Sequence, residues 1–583
     1  TNSPDLCSLM ALLGKERVTE RLEKAANCQV RRFTMNTLSL TVPASLAAKG
    51  VNATPFVVKQ LKELAENGGT LCFEPGTYHF YEDGALSGFF APSNNLSGTK
   101  KVCFPLLDAQ NITVDGGGSV FVFHGKAFPF IVSECSDITL KNFTCDTALP
   151  SVAAIKITEK TEEGFCAVID RKKSPFRTEN GHLLFELESG VLSTEAGKVS
   201  LHSLDRMNIR YLYAGDSSQD RTGLAAPFMD TDAFDLGDKI YFRYREDTQI
   251  SCPFEVGERV VINLEEKRER AVFFFENSER VTVENVVIRR GGGMGVIAQM
   301  CTDITVTNMR TDKTAHGDSV TLTADAFHLV NCSGTFELSG CDMSSFLDDA
   351  CNVHGVYTVL DRVNGDCLHV HLGHADQNYF CPYKACDRIV LIDDKTLEPV
   401  CEAIVKDVFF TSNDGMNLSV GVEFLHGADA LRPGFFVENP LRMPDTLIHN
   451  NRFSDFPHFR LSGAGKIRFE NNVIADCQAA IYFYDLAAYW FESGRIRDAL
   501  VKHNRFINCN ALCADWVIDI NVSGFAPEKA PLIHDRIEIS DNTFEKIQKY
   551  AVRACGVKEL IVKDNTLDGA PLDESKILHI RKA

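Results

Sequence analysis

Short β-branched strands return along this chain at intervals of a little over twenty residues, and that period restricts the fold more than anything else in the sequence. Asn111-Ile112-Thr113-Val114, Asp137-Ile138-Thr139-Leu140, Arg280-Val281-Thr282-Val283 and Asp303-Ile304-Thr305-Val306 repeat one pattern. A second pattern ends strands with asparagine, at Asn285, Asn308, Asn451, Asn472, Asn504, Asn542 and Asn565. The gaps 285–308, 451–472 and 542–565 are 23, 21 and 23 residues. Units of that size stack on their neighbours to bury a core, as in a solenoid. An all-β fold built on a parallel β-helix is therefore expected. Its asparagines belong at stacked turns, where they tolerate left-handed backbone and bond their amides to the next coil.

The start of the chain reads as a cap on that β-helix. Thr54-Pro55 supplies an N-cap and a first-turn proline, Val57, Leu61 and Leu64 recur at helical spacing, and Gly68-Gly69 ends the helix. A strand–turn–strand unit over 70–80 follows, and a helix before such a unit covers open strand edges and the apolar interior. Two stretches break the repeat. Turn signals fall at Glu179-Asn180-Gly181 and Asp235-Leu236-Gly237-Asp238 in the first, and at Asn364-Gly365-Asp366 and Asn413-Asp414-Gly415 in the second. Both read as antiparallel β modules inserted between coils, where they shape a binding groove and could form a homodimer interface. The expected organisation is a helical cap over 1–70, first coils over 71–149, an inserted module over 150–268, central coils over 269–356, a second module over 357–441 and final coils over 442–583.

A net charge of −19 argues against a nucleic-acid backbone or an anionic membrane surface as partner, and a neutral ligand suits it better. No apolar run approaches the roughly 18 residues of a membrane span, and no basic region with an apolar core opens the chain. The 20 cysteines show neither CxxC nor zinc spacing; Cys509 and Cys513 come nearest, and Cys301 and Cys341 read as small buried apolar residues. Thiols without a disulfide framework favour a cytoplasmic setting over secretion, although an even count is compatible with disulfides and a leader trimmed away would leave the same opening sequence. No metal or cofactor is expected.

Three aspartates carry the chemistry. Asp325 lies in an alternating stretch running to Leu329-Val330, and Asp348-Asp349 lies one period later between Phe346-Leu347 and Ala350-Cys351. One period apart means neighbouring strands, roughly 5 Å away. Carboxylates gathered so closely repel, which raises at least one pKa and separates acid from base. Successive residues of a regular strand face opposite ways, so Asp348 and Asp349 can share a site only at a turn or bulge. His328, Asn352 and His354 flank the acids and could bond sugar hydroxyls, or could be ordinary structural residues. Trp490 could stack on the apolar face of a sugar, with Glu492 accepting its hydroxyls; the alternative is a loop packed on the helix body. Gly291 to Gly295 contains a chance GxGxxA with no helix after it, so these glycines suit close backbone approach rather than a dinucleotide.

Ala324-Asp325-Ala326-Phe327-His328, followed by Leu347-Asp348-Asp349-Ala350-Cys351-Asn352-Val353-His354-Gly355, resembles the active-site signature of glycoside hydrolase family 110. These are bacterial α-1,3-galactosidases that remove terminal galactose from blood-group-B and related structures. The resemblance extends to Gly76-Thr77-Tyr78-His79-Phe80, Asp115-Gly116-Gly117-Gly118-Ser119, Gly293-Met294-Gly295, the two inserts and Trp490-Phe491-Glu492-Ser493-Gly494. It implies a right-handed β-helix with added β-barrel modules, action with inversion, and Asp325, Asp348 and Asp349 as the catalytic trio. Asp348 would then be the general acid, with Asp325 and Asp349 holding and deprotonating water. An inverting pair stands about 6.5–9.5 Å apart and a retaining pair about 5–5.5 Å, a distinction that sequence spacing leaves open.

Other readings differ in the residues they require. A polygalacturonase-like hydrolase would add a Gly-His-Gly coil and an Arg-x-Lys motif, and neither occurs in the matching coils. A β-helix lyase would need Ca²⁺ ligands and a basic proton acceptor. A noncatalytic glycan-binding β-helix would have no use for three stacked acids.

Overall fold

A computed structural model describes residues 38–193, 201–203, 209–211, 231–246, 252, 254–264, 268–510 and 514–580. Residues 1–37 of the cap region and several stretches of the first insert lie outside the described residues. The chain winds as a parallel β-helix. One sheet of 21 strands runs its length and takes two consecutive strands from most coils, as with Asp445–His449 and Arg452–Phe456. A second sheet of 13 strands closes the coils opposite it. The lumen is apolar, because the inward residue of each strand stacks on its counterpart one coil away. At the N-terminal end this produces a file of rings, with Phe130 at 4.3 Å from Phe104, 5.3 Å from Phe143 and 5.0 Å from Phe273.

The helix Thr54–Asn67 packs Val57, Leu61 and Leu64 into the end of this lumen. Its N-terminus differs from the expectation. Thr54 is the first helical residue rather than the N-cap; its amide donates to Asn52 Oδ1, and its hydroxyl bonds both the amide and the carbonyl of Tyr81. The threonine ties the cap to the first coils instead. Gly68, at φ +69°, stops the helix with its amide on the Leu64 carbonyl.

The asparagines divide into two kinds. Asn451, Asn472, Asn504, Asn542 and Asn565 form a buried ladder in which each side-chain oxygen after the first accepts from the main-chain and side-chain amides of the asparagine one coil earlier, at 2.9–3.0 Å, while that of Asn451 accepts from the Cys341 amide. Their side-chain amides also donate to strand carbonyls, so a turn that no strand could satisfy is fully bonded. The left-handed residue is the one before: Asn450, Asn471, His503, Asp541 and Asp564. Asn285 and Asn308 are themselves left-handed and lie outside the ladder. So are Asn111, Asp137, Arg280 and Asp303, which open the repeated strand pattern. Arg280 is unusual there and is held by a two-pronged pair with Asp137 at 2.7 and 2.9 Å.

Both inserts are antiparallel β. The first builds a seven-stranded sheet with a three-stranded companion, and Asn180-Gly181 and Gly237 make its tight turns with positive φ. The second, from Thr358 to Glu438, is a closed six-stranded barrel turning at Gly365 and Gly415. Where the barrel meets the coils, Tyr357 donates its hydroxyl to Asp485 Oδ2 at 2.8 Å and the Gly494 amide donates to the same oxygen. Glu438 is buried beside this pair. Among the described residues no helix is long and apolar enough to cross a membrane.

Candidate active site

The strands Phe327–Val330 and Cys351–Val356 are neighbours in the second sheet, with His328 level with Asn352. The Ala326 amide donates to the Asp349 carbonyl at 2.9 Å, which continues this register backwards and makes Asp349, rather than Asp348, level with Asp325. Asp325 precedes its strand instead of lying within it, and that strand is buried on both faces rather than alternating. Asp348 and Asp349 lie at a bend before their strand, so neither is bound to strand alternation. The preceding coil makes room: a Cβ on Gly293 would stand 2.4 Å from the Arg270 carbonyl oxygen and one on Gly295 2.5 Å from that of Ala326. The glycines serve the coil-to-coil approach under the acids.

Each acid has different company. Asp348 is the most accessible, its side chain 27 % exposed, and contacts the Arg268 guanidinium. Asp349 is 4 % exposed; His458 Nε2 lies 2.7 Å from one of its oxygens and Arg460 Nε 3.4 Å from the other. Burial alone would raise its pKa, but His458 and Arg460 outweigh burial and hold Asp349 well below the ordinary carboxylate range. Asp325 is 3 % exposed and goes the other way: burial first, then the charges of Asp348 and Asp349, push it well above that range.

With both rings neutral, hydrogen bonding locates the proton at the same place. Burial lowers both His328 and His354 to about 4, so the rings are neutral at pH 7. His354 Nδ1 lies 2.7 Å from the Gly355 carbonyl, which can only accept, so this nitrogen carries the hydrogen and Nε2 is bare. His328 Nε2, 3.3 Å from that bare nitrogen, must donate to it. His328 Nδ1 is then bare and faces Asp325 Oδ2 at 2.7 Å, so the carboxyl supplies the hydrogen. A backbone carbonyl thus fixes, through two rings, a neutral Asp325.

Glu492 joins the same cluster. It is 4 % exposed, accepts from Asn94 Nδ2 at 3.1 Å and lies 3.6 Å from His354 Nε2. Burial would raise its pKa, but it is held below the ordinary range, and of the neighbours that oppose burial the Arg460 guanidinium is the one charged at pH 7. Asn352 is buried with its Oδ1 unbonded. Trp490 stands apart from the acids in its contacts: its ring packs on His374 at 4.0 Å and on Tyr489, and its carbonyl accepts from Gln377. Sequence reasoning missed Arg268, His458, Arg460 and Asn94. Among the described residues no group of three or more His, Cys, Asp or Glu is arranged to hold a metal ion.

No family model matches the chain. Curated relatives cover most of it. Alpha-1,3-galactosidase B of Bacteroides thetaiotaomicron is 27 % identical over 538 residues, 89 % of this chain and 83 % of the relative. Alpha-1,3-galactosidase A of Shewanella woodyi is 28 % identical, covering 85 % and 80 %, and an alpha-1,3-galactosidase B of Phocaeicola vulgatus is 26 % identical, covering 88 % and 87 %. These relatives bear out the resemblance to glycoside hydrolase family 110. Among solved structures, a family 28 exopolygalacturonase of Yersinia enterocolitica aligns at TM-score 0.38 and 9 % identity, over 92 % of this chain and 79 % of that one.

Proposed function

We propose that this chain, homologous along most of its length to the alpha-1,3-galactosidases of glycoside hydrolase family 110, is itself an exo-acting, inverting α-1,3-galactosidase. One observation carries the reading: three carboxyls from two neighbouring coils meet on one face, and their surroundings drive two of them in opposite directions. Acid–base cleavage of a glycoside needs a base that stays ionised beside a carboxyl that delivers a proton; the surroundings of Asp349 supply the first, and resemblance to the family assigns the second to the accessible Asp348. Asp349, kept anionic by Arg460 and His458, takes a proton from water as the water oxygen attacks C1 of galactose. Asp325, neutral and with its proton committed to His328, positions that water through its second oxygen. Asp348, the accessible member, gives its proton to the glycosidic oxygen as the C1–O bond breaks. The products are β-galactose and a glycan with a free 3-hydroxyl, and the substrates are blood-group-B-type or linear Galα1-3Gal glycans.

The test is ¹H NMR of the protein mixed with Galα1-3Gal and, separately, with the fucosylated B trisaccharide, beside Asp348→Asn and Asp349→Asn. Immediate β-galactose, absent with both variants, is the expected result. First appearance of α-galactose would replace inversion by retention, and no release from either sugar would leave a glycan-binding protein. An aryl α-galactoside assigns the roles, because a good leaving group needs no acid. Asp348→Asn should retain turnover of it and Asp349→Asn should not; the same retention in Asp325→Asn would transfer the acid role to Asp325.

A further inference from the structure

The acids have one closed flank and one open. Toward the earlier coils, the loop 93–97 is fastened over the site. The Ser93 amide donates to Gln299 Oε1, the Asn94 amide to the Asp376 carbonyl and Ser97 Oγ to Asn378 Oδ1. Gln377 and Asn94 then reach the Trp490 carbonyl and Glu492. A terminal sugar entering here meets a wall. Toward the later coils no such seam intervenes among the described residues. Strand register there sets one file of outward residues: Asn352 is level with Arg460, Arg460 with Tyr482, Tyr482 with Asp519 and Asp519 with Arg553. At roughly 4.8 Å per strand, this file runs about 19 Å away from the acids.

The file has the composition of a sugar-binding surface. Tyr482 and Tyr484 lie side by side with rings 4.7 Å apart and 7° from parallel, and His458 covers Tyr482 at 4.2 Å. Farther on, the Arg553 guanidinium sits 3.5 Å over the Trp516 ring. Asp519, fully buried, fixes this arrangement by accepting from both arms of Arg553 and from the Tyr484 hydroxyl. Three polar atoms along the same face are unbonded although buried: Asn352 Oδ1, His458 Nδ1 and Trp516 Nε1. Buried polar atoms are normally satisfied, and an acceptor, a ring nitrogen and an indole N–H spaced along these coils match the alternating hydroxyls of a neutral glycan.

We infer that the coils after the acids form a track for the aglycone, from Asn352 and His458 through Tyr482 and Tyr484 to Trp516, so that the substrate is a galactosyl oligosaccharide read for several rings beyond the scissile bond. The inference rests on the glycosidase reading and deepens it. Binding remote from the bond is used in the transition state, so kcat/KM should climb with aglycone length. Galα1-3Gal and the neutral tri- and tetrasaccharides that extend it at the reducing end give the series. Wild type should gain about tenfold in kcat/KM from the disaccharide to the tetrasaccharide. Trp516→Ala should lose the gain while keeping the disaccharide within about threefold, and Trp516→Phe should restore most of it. Equal kcat/KM at all lengths, or an equal loss at all lengths in Trp516→Ala, would overturn the track and leave the galactosidase standing. No turnover of any member would remove both.

The two tryptophans allow a measurement that leaves Trp516 in place. In Trp490→Phe, Trp516 is the sole reporter, and a saturable fluorescence change on titrating a β-galactose-terminated trisaccharide is expected. A flat titration overturns the track.

Discussion

Asp349 owes its charge to two side chains from a coil that follows it by more than a hundred residues, and the pH dependence of turnover should reveal the debt. A base held below the ordinary carboxylate range stays ionised as pH falls past the usual value, so the acid limb of kcat/KM should lie below about 3.9. Arg460→Gln removes the nearest permanent cation and leaves the burial that opposes it. The acid limb should then move up by about one pH unit or more, with a loss of turnover, in a pH–rate profile on Galα1-3Gal. An unmoved limb would separate Asp349 from the observed titration. The acids themselves were legible, because Asp325 and Asp348-Asp349 fall on consecutive coils with nothing between them. Arg460 was not. Its strand lies level with that of Asn352, but the barrel occupies the intervening sequence and erases the period that would have paired them. Arg268 suffers likewise at the exit of the first insert.

At the scale of elements, the asparagine ladder is the clearest case of a pattern read correctly and explained incompletely. The recurrence of asparagine announced the turn; only the structure separates the left-handed position, open to Asn, Asp or His, from the ladder position, where an amide must donate and accept at once. Asn504→Ala strips bonds from both neighbours: in a buried turn the Asn472 main-chain amide and the Phe469 carbonyl lose their asparagine partner, and the Asn472 side-chain amide keeps only the Ile448 carbonyl. A cost of about 3 kcal/mol is expected, since each stranded group forfeits about 1–3 kcal/mol. Asn565→Ala, at the end of the ladder, strands a partner on one side only. Its urea midpoint should fall by clearly less, and equal shifts would contradict a ladder that acts cooperatively. Turn chemistry in the inserts was legible for a simpler reason, as Asn180-Gly181 and Gly365 sit where strands must reverse within two residues.

Across the whole molecule, two sets of buried titratable groups oppose one another. His328, His354 and His534 have folded values near 4, against about 6.5 when unfolded, so the stability they contribute is present above pH 6.5 and is lost as pH falls toward 4. The barrel seam behaves oppositely. Burial, then the neighbouring Asp485, lifts Glu438 to about 7, and burial lifts Asp485 to about 6, with Arg495 tempering both. Groups raised in the folded state stabilise fully below their unfolded values and lose that contribution as pH rises through the folded ones. The Glu438 share is on the order of 3 kcal/mol, lost between about pH 4.5 and 7. Glu438→Gln should therefore be more stable than wild type at pH 8 and nearly equal at pH 4.5, as read by urea midpoints. The same pH slope in both proteins would absolve the seam. The barrel also bears on how the chain finds its fold. Thr358 pairs with Val437, so a barrel that closes early brings the two ends of its own insertion together. The strands carrying Asn352 and Arg460 then meet across a gap of about thirty residues instead of more than a hundred, an entropic saving of about 1 kcal/mol. The active site assembles more readily once that shortcut exists, which makes the barrel a scaffold in time as well as in space.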